Sequence, residues 1–427
     1  MSAKSRVSRA RGFTLVELMV ALTGGLFISI FVFMVARQGS HFYQQETRIS
    51  NATIGVLNGF QRLRTDIARA GFLASPNRRN DPRACTAPGE GFDQAPLLRT
   101  MGGIFLEVGG STEEPAKQEL ADFWTANELN PDRITIAGSF GSADQFPAAE
   151  ITRVDPTSNI WTIYLQPNSP AMARLGYDPN GDDDVQIALL KSVFMPDDVG
   201  RALRIQDKKG FHHYGVVGDV GLATVSNRPA PYIELTGNVT LAEAGQSTRC
   251  GLQGLNVGAL VNVVNFVRYE LRRLDTETFA ALYDTTDDDE LTRAELVREE
   301  LNVLTGEPIP STTELVAEYA VDLKFGFTIL NTEGNGKLET VAEGDDALVS
   351  YGGDPSSGAL PQRIRTVHAR LAVRSRAGDR ESNIEASEDI PEGLYRVALG
   401  PDGTAPFARV RTLQADIALR NHLGANW

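Results

Sequence analysis

The sequence predicts an α+β protein in which one long N-terminal helix packs on a large β-rich head. Residues 13–75 contain no proline and keep an apolar, helix-like pattern. From residue 72 onward, short apolar runs alternate with Gly, Pro, Asn and Asp, which is typical of strands and turns. The chain has 427 residues, of which 42% are hydrophobic, and this is enough apolar material for a large core.

Composition argues against several classes of function. With 41 Lys and Arg against 55 Asp and Glu, the net charge is −14, which disfavours binding to nucleic acid phosphates. Five histidines and two cysteines leave little material for a transition-metal site. The sequence contains no zinc-protease, nucleophile-elbow or phosphate-loop motif. We therefore predict a protein that is not an enzyme and does not bind nucleic acid.

The N-terminal segment has the composition of a membrane anchor. Residues 1–12 carry four basic residues and no acidic one. Residues 13–36 then form a run of 24 residues whose single charge is Glu17. As a helix, this run is ~36 Å long and spans a hydrocarbon core of roughly 30 Å. The basic flank predicts a single pass, with the residues after 36 on the far side from the cytoplasm.

Three interpretations of this segment compete. A removable secretory signal ends in small residues, whereas Ala36 is followed by Arg37. A plain anchor explains the length but not Glu17, because a carboxylate inside an apolar span costs ~3 kcal/mol on insertion scales. The residues three and four positions from Glu17 include no cation. The third interpretation is that Glu17 has a specialised role with a partner from outside its own helix.

Residues 11–18, RGFTLVEL, resemble the processing site of type IV prepilins and type II secretion pseudopilins. The resemblance implies that a prepilin peptidase cuts between Gly12 and Phe13, removing a leader of residues 1–12. It further implies that the new amino group of Phe13 is methylated. The resemblance also implies that the Glu17 carboxylate pairs with the terminal amine of a neighbouring subunit in the filament. That ammonium supplies the missing cation.

Residues 37–71 are predicted to form the amphipathic half of the same helix. Gly71 and then Pro76 predict its end. We expect one apolar stripe of this half to pack against the head and form its spine. The stripe consists of Ile49, Ala52, Val56, Phe60, Leu63, Ile67 and Ala70.

Residues 72–427 are predicted to form the β-rich head, with one clear helix at Thr292–Leu304. A β-rich insertion over about residues 90–250 is left open as an alternative to one undivided head. The candidate strands are Arg133–Ala137, Ile160–Leu165, Val185–Leu190, Gly215–Val217, Tyr232–Leu235, Leu260–Tyr269, Val321–Ile329, Ile364–Val373 and Val410–Leu419.

Further segments resemble the PilW family of minor pilins: residues 62–72, 261–273, 314–327 and 409–421. The resemblance implies a minor pilin of the inner membrane that acts in type IV pilus assembly, with its head in the periplasm or in the fibre. It implies partners among other minor pilins and the major pilin, and roles in twitching motility and cell adhesion. A type II secretion pseudopilin and a membrane-anchored periplasmic binding protein remain the alternatives.

Cys85 and Cys250 are the only cysteines. The predicted topology places both in an oxidising compartment, which favours a disulfide between them. A bridge that closes so long a loop stabilises the fold by ~4 kcal/mol in the chain-entropy model. The alternative is two unrelated buried thiols.

An acidic loop suggests a calcium site, the one cofactor that the sequence raises. The loop follows part of the spacing of an EF-hand, with the candidate ligands Asp284, Asp288, Glu290 and Glu295. It departs from the EF-hand pattern at Asp289, which occupies the position of the usual glycine. The same residues also fit a solvated turn and a capping box that opens a helix.

Two further acidic loops, residues 177–184 and 331–339, are predicted to be turns, the second with Asn335-Gly336 at a hairpin. His212 and His213 are predicted to lie on opposite faces of a strand, which disfavours a shared metal.

Overall fold

The chain divides into two compact units, Met1–Thr53 and Ile54–Trp427. The computed structural model describes residues 14–85, 94–112, 117–154, 160–225, 228–237, 258–274, 278–279, 292–331, 336–376, 378, 396–400, 403–404, 406–425 and 427.

The secondary structure is mixed, with 30% helix and 37% strand, and this confirms the predicted α+β class. The helices are α1 (Leu15–Ala68), α2 (Pro96–Arg99), α3 (Lys117–Ala126), α4 (Pro170–Leu175), α5 (Asp183–Phe194) and α6 (Leu348–Gly352). The first strands are β1 (Ile104–Glu107), β2 (Arg133–Gly138), β3 (Phe146–Arg153), β4 (Trp161–Leu165), β5 (Ala202–Gln206), β6 (His212–Val225), β7 (Arg228–Leu235) and β8 (Leu260–Arg272). The later strands are β9 (Glu295–Glu300), β10 (Glu314–Ala317), β11 (Ala320–Asn331), β12 (Lys337–Val341), β13 (Ile364–Arg374), β14 (Arg396–Ala398) and β15 (Phe407–Ala418).

The first unit contains an apolar helical segment, Leu15–Ser40, that is long enough to cross a membrane. Two of its hydroxyl groups are satisfied within the helix. The Thr23 hydroxyl donates to the Met19 carbonyl at 3.0 Å, and the Ser29 hydroxyl donates to the Gly25 carbonyl at 2.9 Å. Such bonds suit a helix in lipid, where no water is present to satisfy these groups.

In the second unit, the end of α1 lies in the core of the head. The predicted stripe is confirmed from Val56 onward, because Val56, Phe60, Leu63, Ile67 and Ala70 are all buried. The side chains of the first two stripe members, at positions 49 and 52, lie outside the described residues. The described stripe packs in one hydrophobic cluster with residues of strands β8, β11 and β13. Burying these side chains contributes about 1.5–3 kcal/mol for each large one.

Six strands of the head close into an antiparallel barrel. Following the pairings from β8, the order is β3, β4, β7, β6, β5 and back to β8. The barrel strands enclose a second hydrophobic cluster together with residues of α2, α4 and α5. A barrel of this kind leaves few unpaired strand edges and fills its interior with side chains.

Strand β8 joins the barrel to the rest of the head. Its first half pairs with β3 and β5, whereas its second half pairs with β2 and β9. Strand β1 pairs with β2, and β10 pairs with β9. The other five strands form a separate antiparallel sheet in the order β12-β11-β13-β15-β14. This sheet shares the first hydrophobic cluster with the stripe of α1. The head is therefore built on two cores, and β8 contributes to both.

Two predicted elements are wrong. The predicted strand Val185–Leu190 lies in helix α5, because the Asp182 carboxylate caps the helix by accepting from the amides of Asp184 and Val185. The predicted helix Thr292–Leu304 contains strand β9 instead, which pairs with β8 on one side and β10 on the other. Pairing on both sides outweighs the helical preference of this Glu- and Leu-rich segment.

A buried ionic cluster attaches α1 to the sheet. Asp66 is 1% exposed, and its carboxylate lies 2.7 Å from the Arg298 guanidinium of β9. The Tyr269 hydroxyl of β8 donates to the same carboxylate at 2.8 Å, and Arg62 lies 3.8 Å away. Burial and the Asp66 charge together raise the pKa of Tyr269. Although burial lowers the pKa of Arg298, the nearby Asp66 carboxylate raises it overall. The cluster therefore fixes the register of α1 on β8 and β9.

Three histidines are buried in the head. Both predicted strand histidines lie on β6 and are buried, at 4% and 2% exposure for His212 and His213. His422 is fully buried, with its Nδ1 atom 3.1 Å from the Pro361 carbonyl oxygen. Its ring occupies space left by Gly103, where an added Cβ would lie 2.3 Å from Nε2. Burial lowers the pKa of His213 and of His422 to about 4.

We predict that Asp66→Asn destabilises the head by about 3 kcal/mol, because it removes the buried charge that pairs with the partly buried Arg298. Chemical denaturation of the full chain in a neutral detergent measures this loss. Thr65→Ala, on the exposed side of the same helix, is the matched control and changes the free energy of unfolding by less than about 0.5 kcal/mol. Equal stability of Asp66→Asn and the wild type would contradict the role of the cluster.

We predict that acid destabilises the head between pH 6.5 and pH 4. His213 and His422 have pKa values of about 4 in the folded chain, whereas a histidine in an unfolded chain titrates near 6.5. Protons therefore bind the unfolded chain first, and each histidine lowers the free energy of unfolding by about 1.4 kcal/mol per pH unit in this window. His422→Gln reduces that slope in a denaturation series. An unchanged slope in this variant would show that His422 does not titrate as stated.

Candidate functional site

Thr14 and Glu17 form a reciprocal cap at the N-terminus of α1. The Glu17 carboxylate accepts from the Thr14 amide and from the Thr14 hydroxyl, both at 3.0 Å. In return, the Glu17 amide donates to the Thr14 hydroxyl oxygen at 3.2 Å. This is the capping-box arrangement of a Thr followed three residues later by a Glu. The sequence signal for this cap is the pattern Thr14-x-x-Glu17.

The cap leaves the charge of Glu17 uncompensated. Thr14 supplies two hydrogen bonds but no positive charge. Among the residues that the structure describes, no basic side chain pairs with Glu17, and Arg37 is the first basic residue that follows it in the sequence. The next residues of the helix, Leu15, Val16 and Leu18, are exposed and apolar. A carboxylate in these surroundings is ready to accept a cation from another molecule.

Several predicted site residues lie outside the described part of the chain. These residues are Gly12, Phe13, Cys250, Asp284, Asp288 and Glu290. Of the predicted calcium ligands, Glu295 alone is described. It is buried, lies 2.5 Å from the Arg293 guanidinium and accepts from the Leu274 amide at 3.3 Å. Its carboxylate therefore already has partners within the protein, and calcium binding stays a prediction for the loop before it.

The structure confirms a turn in the first of the other acidic loops and shows the paired strands that flank the second. Residues 177–184 form a turn that leads into α5. In this turn, the Asp178 carboxylate accepts a hydrogen bond from the Asn180 amide at 2.9 Å. Strands β11 and β12 form an antiparallel hairpin in which Asn331 pairs with Lys337. Gly336 adopts a φ of +67°, which favours glycine at this position, whereas Asn335 lies outside the described residues. Within the described ranges, no group of three or more side chains is arranged to hold a metal.

Cys85 attaches the segment after α1 to the barrel. It is buried and disulfide-bonded, and its amide donates to the His212 carbonyl of β6 at 2.8 Å. The His212 amide donates in turn to the Arg83 carbonyl at 3.0 Å, and its imidazole lies 3.3 Å from the Asp81 carboxylate. Because Cys250 lies outside the described residues, its pairing with Cys85 stays a prediction.

The capped helix start lies within a segment that a protein-family model matches. Residues 7–23 match the prokaryotic N-terminal methylation motif. The motif indicates a type IV pilin-like or pseudopilin-type structural protein. It also implies processing by a prepilin peptidase and assembly with other pilins in a membrane-associated system. The matched segment includes the predicted cleavage position and Glu17.

The match does not extend into the head. No curated protein and no solved structure matches the chain. The PilW family specifically is not supported by these comparisons. The apolar helix Leu15–Ser40 fits the membrane anchor of a pilin. The N-terminal motif and the length of this helix therefore indicate the same class of protein.

We predict that Cys85 and Cys250 form one disulfide. Mass spectrometry after alkylation in denaturant without reductant then finds both cysteines unlabelled, whereas Cys250→Ser leaves Cys85 as a thiol that is labelled on unfolding, because the folded chain buries it. The double serine variant lowers the free energy of unfolding by about 2–5 kcal/mol. Two alkylated thiols in the unfolded, unreduced wild-type protein would contradict the bridge.

Proposed function

We propose that the protein is a minor pilin of a type IV pilus, as its resemblance to the PilW family suggests. One observation carries the proposal. The methylation motif at residues 7–23 coincides with a capped helix start whose carboxylate, Glu17, has no cation among the described residues. The same helix, α1, supplies the core of the head in its second half. A subunit of this design enters a filament through its helix and presents its head at the surface.

Leader removal is the first step of the proposed mechanism. Cleavage between Gly12 and Phe13 removes the four basic residues of the leader and creates a free amino group on Phe13. The amine then lies four residues before Glu17, at the cytoplasmic end of the apolar helix. Methylation of this amine leaves it cationic, so it still pairs with a carboxylate.

Assembly is the second step. The Leu15–Ser40 segment waits in the inner membrane, where two of its hydroxyl groups are satisfied within the helix. When helices of neighbouring subunits come together, the Glu17 carboxylate pairs with the terminal amine of another chain. This pairing compensates two charges in an apolar setting, where a lone charge is costly. The need for a partner makes assembly favourable only when a second processed subunit is present.

The orientation follows from the basic leader. Four basic residues before the apolar run hold that end in the cytoplasm, which places the head in the periplasm before assembly and in the fibre afterwards. An oxidising compartment also agrees with the disulfide-bonded Cys85.

We predict that Glu17→Gln spares membrane insertion but lowers incorporation into pili on the order of tenfold or more. Glutamine still accepts hydrogen bonds from Thr14 but carries no charge, so the variant tests the ion pair separately from the cap. Immunoblots of sheared pili against membrane fractions measure incorporation. Thr23→Ala, which removes a hydroxyl in the same apolar segment, is the control and assembles normally. Normal incorporation of Glu17→Gln would contradict the mechanism.

A deletion strain separates the type IV pilus from the type II secretion system, since the motif is common to both classes of subunit. We expect loss of surface pili and of twitching motility while protein secretion continues. Loss of secretion with intact pili would instead assign the protein as a pseudopilin.

A further inference from the structure

The outer surface of the barrel carries an ordered pair of tyrosines. Four strands, β3, β4, β7 and β6, contribute two outward rows that flank a buried row. The buried row is Ile151, Ile163, Ile233 and Val220. By strand alternation, the first outward row is Glu150, Tyr164, Tyr232 and Gly221, and the second is Thr152, Thr162, Glu234 and Asp219. Within these rows, Gly221 and Thr162 are buried. We name Tyr164, Tyr232, Glu150, Glu234 and Asp219 the tyrosine face.

The ring of Tyr232 lies flat on the sheet. A Cβ added at Gly221 would lie 2.7 Å from the Tyr232 hydroxyl oxygen and 2.8 Å from two ring carbons. One side of the ring therefore covers Gly221, and the half-buried side chain leaves the other side to solvent. The Tyr232 hydroxyl donates to the Asp219 carboxylate at 3.1 Å, which fixes the ring in this position. The ring of Tyr164 meets it edge-on, with centroids 6.5 Å apart.

The tyrosine face carries negative charge that no basic side chain of the described residues neutralises by an ion pair. Glu150 and Asp219 are exposed and Glu234 is half-buried, and none of the three forms an ion pair with a residue that the structure describes. Burial first, and then Asp219 and Glu234, raise the pKa of Tyr232, as expected beside carboxylates. Lys191 is close enough to Asp219 for its own pKa to rise, but its ammonium pairs with Asp198 at 2.5 Å.

We propose that the tyrosine face docks a basic segment of a partner protein, with an arginine side chain stacked on Tyr232. The face of an aromatic ring attracts cations, and arginine both stacks on rings and pairs with carboxylates. Glu234 and Glu150 flank the rings and supply the opposite charge. Because the Tyr232 ring is already held by Asp219, little side-chain freedom is lost on binding. The inference concerns the barrel and does not depend on the proposed function of α1.

Other occupants fit these residues less well. A nucleic acid or an anionic lipid surface is repelled by three carboxylates. A divalent metal requires several converging oxygen ligands, and in the described ranges no such group exists. A purely apolar segment would leave the carboxylates desolvated and unpaired.

Anisotropy titrations with a labelled peptide test the proposal, using the full chain in neutral detergent at physiological ionic strength. The probe alternates arginine and glycine, and its counterpart replaces arginine by the neutral analogue citrulline. We expect binding of the arginine peptide but not of the citrulline peptide. Tyr232→Leu weakens binding about threefold because it removes the ring, and Glu234→Gln weakens it about twofold. Tyr232→Phe keeps the ring and binds within about twofold of the wild type.

Glu307→Gln is the matched control, because it removes one exposed carboxylate of the head outside the tyrosine face. Binding that falls equally in Glu307→Gln and Glu234→Gln would overturn the proposal, since it would reflect net charge alone. Full binding by Tyr232→Leu, or equal binding of the citrulline peptide, would also overturn it. Circular dichroism checks folding, and Tyr164→Leu with Glu234→Gln replaces Tyr232→Leu if that variant does not fold.

Discussion

The packing of the second half of α1 is the contact on which the head depends. Leu63 and Ile67 are fully buried between strands of the head, and Asp66 on the same helix pairs with Arg298 and accepts from Tyr269. The apolar contacts drive the helix into the core, whereas the ionic cluster determines which turn of the helix meets β8 and β9. Without α1, the strands that surround the first core would expose their apolar face to water.

Asp66 and Glu17 are two carboxylates of helix α1 whose negative charges are in different surroundings. Asp66 is buried, and Arg298 and Tyr269 of its own chain compensate it. Glu17 has only the hydrogen bonds of Thr14 and, among the residues that the structure describes, no cation. A carboxylate with its cation in the same chain stabilises a fold, whereas one without a cation favours association with a chain that brings one. This difference, together with the methylation motif, supports the proposed role of α1 in assembly.

The sequence predicted the parts of the fold that depend on local pattern. The apolar spacing from Val56 to Ala70 identified the buried face of α1 because a helix repeats every 3.6 residues. It did not reveal the closed barrel, since closure depends on pairing between β8 and β5, which lie far apart in the chain. The sequence did not predict strand β9, because its glutamates favour a helix in isolation. In the fold, Glu299 of this strand is buried where it pairs with Arg268 and Arg272 of β8. Glu17 was found because one charge stands out in an apolar run, whereas Asp66 lies among polar residues and gave no such signal.

The proposed assembly role of α1 requires that the apolar helix of the mature protein begins with a processed terminus. Intact-mass analysis of the protein extracted from membranes of a peptidase-positive cell tests this most directly. We expect a chain that starts at Phe13 and carries one additional methyl group. A chain that still begins at Met1, in a cell that processes its other pilin subunits, would contradict it.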